Sequence, residues 1–347
     1  MTLDINLLIK LAVISFISSI ILIPILRLIA LKFKIVDKPD NDLKTHTKPI
    51  PYLGGLAIFL AVGIGFVYYF IKYQTFNSTW NGLIFASLII LLTGLIDDVK
   101  KIKWYVKLFG QIVAAITVIS FGIHLKIMFY PTWLNIIITF IWIIMITNSI
   151  NIIDIMDGLA TSISIIAFIA FLAIAFPQDN LFVVIISVLF IFSAIPFFFW
   201  NMPKAKVFLG DTGALLLGFI LAIVSIQVSY TTVNTIAMLV PVIILGIPIF
   251  DVSLVSLIRI SKKIPIVKGS PDHLALRLKK IGLPDAKTLL LIDWLAMFLA
   301  ISSVAITFTN TEVAIVIYLF IFFSALVFGF ELSKIDMKKE IIGSNLE

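Results

Sequence analysis

Long apolar runs, broken by short polar or Pro/Gly punctuation, set the pattern of this chain. Runs fall near 5–30, 52–71, 82–96, 107–123, 133–150, 159–176, 180–199, 213–229, 236–258, 287–308 and 312–331. They are continuous rather than alternating, and most are too long for strands. Spanning a bilayer takes about 20 apolar residues per helix. The pattern therefore predicts an all-α, polytopic membrane protein of about eleven transmembrane helices. The first run lacks a basic start and a small-residue cleavage site, so it reads as a span rather than a removable signal. No internal repeat or linker divides the chain, which reads as one domain over residues 1–347. Its polar connections are 31–51, 97–106, 148–160, 200–212 and 259–286.

Composition agrees. Of 347 residues, 61% are hydrophobic and 13% charged, against about 45–50% and about 25% in soluble domains. A water-soluble enzyme is excluded. The absence of cysteine removes disulfides, thiolate nucleophiles and Cys-based metal sites. Three histidines do not suggest a histidine metal cage. The net charge of +7 is accounted for by its placement. Alternate connections and the C-terminal tail hold 23 of the 26 Lys and Arg, leaving Lys10, Lys72 and Lys126 on the other side. This bias predicts an outside N-terminus and a cytosolic C-terminus. Attraction to anionic lipid completes the account, with no nucleic acid needed.

The acids point to the same side. Asp97, Asp98, Asp154, Asp157, Asp211 and Asp251 are expected at or just inside the cytosolic ends of spans, and none at mid-span. A transporter would place ionisable groups near the midplane; this distribution favours chemistry at the membrane face. Asp97-Asp98 close a span in GLIDDVKKIKWYVK (94–107), although a helix C-terminus disfavours carboxylates. A pair that meets Mg²⁺ or phosphate explains that placement better than a solvated helix end. Lys107 begins the next span, either as a phosphate contact or as a snorkelling lysine.

In NSINIIDIMDGLA (148–160), Asn148, Asn151, Asp154 and Asp157 recur every third residue. That spacing predicts one stripe of oxygen ligands on a helix, with helix capping and a turn at Asp157-Gly158 as the alternative for part of the run. In WNMPKAKVFLGDTGALLLGF (200–219), two readings fit Asp211: an N-cap for the following helix, or a metal–phosphate ligand at a helix N-terminus. Spacing does not choose between them. Phe208 reads as a base-stacking or interfacial aromatic. Asp251, after Pro248 and about two turns before Arg259, reads as a structural ion pair or a helix-break carboxylate.

Taken together and in order, these runs resemble the polyprenyl-phosphate N-acetylhexosamine-1-phosphate transferase family. DKPDNDLKTHTKPIPYLGG (37–55) is similar to its first cytosolic loop, and the three runs above to its Asp-Asp, Asn-x-x-Asn…Asp-Gly and Phe-x-Gly-Asp elements. The resemblance implies a Mg²⁺-dependent enzyme (or one using Mn²⁺) on the cytosolic face of the cytoplasmic membrane. Such an enzyme passes a sugar 1-phosphate from a UDP-sugar to a polyprenyl phosphate and releases UMP; a homodimer is also compatible. It implies Asp211 and Asn151 as metal ligands, Asp97 and Asp98 as the acidic pair at the phosphates, and Lys107 as a phosphate contact. Phe208 is implied to stack on uracil and Asp157 to lie near it, with Asp154, Asn201 and Lys48 as further nucleotide contacts. His273 and Arg277 are implied to offset diphosphate charge. Two departures stand out. Ile155 replaces a family glycine, and in SPDHLALRLKK (270–280) Ala275 and Leu276 replace two histidines, leaving the sugar unspecified. A flippase or a catalytically silent relative are the rival readings.

Overall fold

The computed structural model describes residues 4–37, 49–73, 77–263 and 272–337. Helix dominates, as it must where the bilayer supplies no partners for backbone N–H and C=O groups. The chain forms two compact units, Met1–Ser229 and Tyr230–Glu347.

The first unit contains α1 (Ile5–Lys32), α2 (Gly54–Tyr73), α3 (Ser78–Lys100), α4 (Trp104–Ser120), α5 (Thr132–Ile153), α6 (Leu159–Ala175), α7 (Leu181–Asn201) and α8 (Gly210–Gln227). α8 is its hub. Apolar on nearly every side, it is buried along most of its length and packs against α2, α3, α5, α6 and α7. A helix without a polar face has to be enclosed in this way. Two of its neighbours approach it at small residues: a Cβ on Gly55 would overlap the backbone of Gly213, and one on Gly94 the backbone of Thr212. Small residues are the usual means of close helix contact within membranes, where lipid is as apolar as Leu.

Short connections pin the ends of these helices. A two-residue antiparallel ribbon pairs β1 (Val36–Asp37) with β2 (Ile50–Pro51), with Val36 opposite Pro51. From there the chain enters α2, where Gly54 N donates to Phe208 O (3.2 Å), Gly55 N to Leu209 O (3.0 Å), and Phe208 N to Pro51 O (2.9 Å). α3 stops because Lys101 turns left-handed (φ 44°) while donating to Asp97 O.

The second unit contains α9 (Val240–Ile244), α10 (Gly246–Ser261), α11 (Leu274–Lys280), α12 (Asp285–Phe308) and α13 (Thr311–Ser333). The straight span expected over 236–258 is instead a short 3₁₀ turn (Thr235–Leu239), then α9, then α10, with a 73° bend. Pro241 and Pro248 remove backbone donors and Gly246 supplies the hinge, so the hydrogen-bond ladder cannot run through. Among the described residues nine helices are long and apolar enough to cross a membrane, or ten with the bent pair as one span. α4, at 17 residues, is at the short end of the range that crosses a bilayer.

Candidate active site

Four helices of the first unit meet at one end of the bundle. Asp211 lies in the first turn of α8, beyond the cap position, which is Leu209 and makes no side-chain cap bond. The N-cap reading of Asp211 is therefore corrected. The cap comes from another helix: Asp98 Oδ1 accepts from Asp211 N (2.7 Å), and Asp98 Oδ2 from Thr212 N (3.1 Å) and Thr212 Oγ1 (2.5 Å). A carboxylate at a helix N-terminus satisfies orphan donors and opposes the positive end of the dipole. Gly210 makes room for it with φ +72°; a Cβ there would sit 2.6 Å from Asp98 Oδ2.

With its backbone held, Asp211 turns its carboxylate to two partners on a single oxygen. Oδ1 accepts from Lys107 Nζ on α4 (2.8 Å) and from Asn151 Nδ2 on α5 (2.6 Å). Lys107 Nζ also lies 2.6 Å from Asp97 Oδ2, while Asp97 Oδ1 accepts from Ile102 N (2.7 Å) beyond the end of α3. Asp97, Lys107, Asn151 and Asp211, expected from three separate runs, thus form one cluster. Asp98 braces it from behind.

The donor chemistry fits a hard divalent cation. Asp97 and Asp211 offer carboxylate oxygens and Asn151 an amide oxygen, and Mg²⁺ is held by one or two carboxylates with waters and substrate phosphates. No group of three or more His, Cys, Asp or Glu able to enclose a metal occurs among the described residues.

The 148–160 run does not form the expected single stripe. Asn148 exchanges hydrogen bonds with Gln111 of α4 (Asn148 Nδ2 to Gln111 Oε1, 2.6 Å), so only Asn151 reaches the cluster. α5 ends at Ile153, and Asp154 is its half-buried C-cap. Burial, and then the charges of Asp211, Asp157 and Asp98, push the Asp154 carboxyl well above its ordinary range. Asp157 Oδ2 accepts from Ala205 N (2.9 Å). Asn201 is buried and ties two loops together: its Oδ1 accepts from Gly158 N (3.1 Å) and Thr161 Oγ1 (3.2 Å), and its Nδ2 donates to Val207 O (3.0 Å). The nucleotide contact expected of Asn201 is corrected to a scaffold role, since these bonds occupy both ends of the amide.

Phe208 is half-buried, with its ring 6.0 Å from that of Tyr52 at 45°. Burial and a hydrogen bond with Asp37 keep the Tyr52 hydroxyl protonated, with Asp98 and Asp211 adding to the effect. Lys48 lies outside the described residues.

His273 and Arg277 belong to the second unit. Arg277 is fully buried. It donates to Asp272 O (2.8 Å), Asp272 Oδ1 (2.6 Å), Leu332 O (2.7 Å) and Ile335 O (2.9 Å). Its guanidinium thus caps the end of α13, with four of its five N–H donors engaged within the second unit. His273 Nδ1 lies 2.8 Å from Asp251 Oδ2, and Asp251 Oδ1 accepts from Leu274 N (2.6 Å). Asp251 therefore anchors the start of α11 rather than pairing with Arg259.

Three contributors escaped the sequence reading: Tyr52, Thr212 and Gln111. Gln111 was detectable, as an amide four residues after Lys107 in an apolar run, hence on the same helix face. Tyr52 and Thr212 carry no comparable signal.

A model of glycosyl transferase family 4 matches residues 80–229, the segment that holds the whole cluster. A Bacillus subtilis protein named probable undecaprenyl-phosphate N-acetylglucosaminyl 1-phosphate transferase is 32% identical over 91% of this chain and 88% of its own length. The chain belongs to glycosyl transferase family 4. Among other relatives of this family 4 protein, the Thermotoga maritima undecaprenyl-phosphate alpha-N-acetylglucosaminyl 1-phosphate transferase is 26% identical over 74% of the chain and 76% of its own length. The phospho-N-acetylmuramoyl-pentapeptide-transferase of Lactobacillus gasseri is 31% identical over 54% and 65%.

Proposed function

We propose that this protein transfers N-acetylglucosamine 1-phosphate from UDP-N-acetylglucosamine to a polyprenyl phosphate, giving the polyprenyl-diphospho-sugar and UMP. The reaction takes place on the cytosolic face of the cytoplasmic membrane. The observation that carries this reading is the convergence of Asp97, Lys107, Asn151 and Asp211 from four helices, in a chain whose relatives are named for this transfer.

Phosphoryl transfer needs alignment and charge neutralisation more than covalent help. The lipid phosphate, with a second pKa of about 6, is largely dianionic at neutral pH and needs no deprotonation. Its oxygen forms a bond to the β-phosphorus as the bond from that phosphorus to the bridging oxygen breaks, and UMP leaves with the electron pair. Asp211, Asn151 and Asp97 would hold Mg²⁺, which when bound neutralises charge on the diphosphate. Lys107 offsets the remaining negative charge. Asp98 acts through α8, holding the first turn so that Asp211 keeps its place. Phe208 and Tyr52 present aromatic surface to the uracil.

The test is UMP release by purified protein given polyprenyl phosphate, Mg²⁺ and a panel of UDP-sugars. UDP-N-acetylglucosamine should support turnover and chelation should stop it. Failure of every UDP-sugar to support turnover would end the transferase reading; turnover unaffected by chelation would end the metal assignment.

A further inference from the structure

The α2–α3 hairpin does not close on itself. Both helices pack on α8, and a cleft of about 290 Å³ lies between them. Phe59, Phe66 and Phe70 line one wall, Leu83 the other, and Leu216 and Ile220 the floor. From Phe59 to Phe70 the helical rise gives ~16 Å, about the hydrocarbon depth of one leaflet, half of a ~30 Å core.

Three observations mark the cleft as a place for a ligand. Ser87, in its wall, is 6% exposed and its Oγ has no hydrogen-bond partner. Thr147 and Ser187, outside the cleft, are likewise unpartnered, whereas Ser15, Thr93, Thr117, Ser149 and Ser164 donate to the carbonyl four residues back. Gly63 also lines the cleft, and a Cβ there would meet nothing within 4 Å. Lys72, exposed, follows Phe70 by two residues at the end of the cleft farthest from the acids. It lies over the Tyr73 ring (5.5 Å) with no carboxylate partner among the described residues.

We infer that the cleft holds one acyl chain of a phospholipid from the leaflet opposite the acid cluster, with Lys72 taking the lipid phosphate. Polarity selects this occupant. A polyprenyl phosphate reacting at Asp211 carries its phosphate at the other end, and its chain would outrun a cleft one leaflet deep. The chain lies on Leu216 and Ile220, about one and a half and two and a half turns below Asp211 on the same helix, so its occupancy buttresses α8.

The experiment places full-length protein in nanodiscs containing phosphatidylglycerol with a diazirine midway along one acyl chain and maps the crosslinks. Labelling should concentrate on the peptides carrying Phe66–Phe70 and Leu83–Ser87, above that of the lipid-exposed face of α13 (Val316, Phe320, Phe323). Gly63→Leu, which fills the cleft, should cut cleft labelling about tenfold, the loss of roughly two buried methylenes, with an unchanged or raised melting temperature. Lys72→Gln, at an exposed position, should also reduce it. Cleft labelling no greater than that of α13, or unaffected by both variants, would overturn the inference. So would labelling by a diazirine polyprenyl phosphate that phosphatidylglycerol fails to displace, because the cleft would then belong to the acceptor.

Discussion

The carboxylate of Asp98 caps α8 by accepting from the amide of Asp211 at 2.7 Å, so a residue on one helix sets the position of a carboxylate on another. Adjacent acids thus divide the work: Asp97 faces Lys107, and Asp98 faces backbone. Asp98→Asn should lower both melting temperature and UMP release, because an amide cannot accept from three donors; Asp97→Asn should lower release alone. A melting temperature unchanged by Asp98→Asn would refute the brace.

Asp211→Asn should cut UMP release by at least ~10²-fold while the protein stays folded. Asp211 and Lys107 share one contact, so Lys107→Met combined with Asp211→Asn should cost less than the sum of the single changes, with a coupling of roughly 0.5–3 kcal/mol. Additive losses in a double-mutant cycle would separate the two roles.

Asn201→Leu leaves Gly158 N, Thr161 Oγ1 and Val207 O without their partner. Each buried orphan costs about 1–3 kcal/mol, so thermal unfolding should come well before that of the wild type. A stable Asn201→Leu protein whose KM for the UDP-sugar rises would restore the nucleotide role.

Arg277→Leu should destabilise the second unit, because it takes from Asp272 its 2.6 Å partner, leaving Lys262 at 3.6 Å, and orphans the carbonyls of Leu332 and Ile335, at about 1–3 kcal/mol for each buried orphan. Arg277→Lys should not rescue it, since one ammonium cannot cover the same forked set of carbonyls. A folded Arg277→Lys protein with only a raised donor KM would show that the guanidinium serves the substrate.

Phe208→Leu should raise KM for the UDP-sugar roughly tenfold with kcat little changed, the scale of one base–aromatic stack of ~1–3 kcal/mol; Phe208→Tyr should preserve it. Steady-state kinetics with varied donor distinguishes these outcomes.

Helix positions and the acids at their ends were legible because a bilayer admits few alternatives and makes every charge conspicuous. The cluster of Asp97, Lys107, Asn151 and Asp211 followed from motif resemblance, not from spacing, which left Asp211 open between cap and ligand. What stayed hidden are relations across helices. The three-residue recurrence placed Asn148 and Asn151 on one face, but Gln111 claims the first and Asp211 the second. The break in the ninth span was foreshadowed by Pro241, Gly246 and Pro248, whose joint effect is a matter of angle rather than hydropathy. Arg277 read as a phosphate ligand because a charge in a loop looks available, and only its depth reveals the carbonyls that hold it.

The approach of Gly55 to Gly213 has a consequence for change over time. Where main chain abuts main chain no rotamer can absorb an error, so the geometry of the acid-bearing end is inherited through peptide units. The distance between the α2 entry and the first turn of α8 is fixed by that contact. A substitution larger than hydrogen at either glycine would misplace Asp211 without touching any group that meets a phosphate.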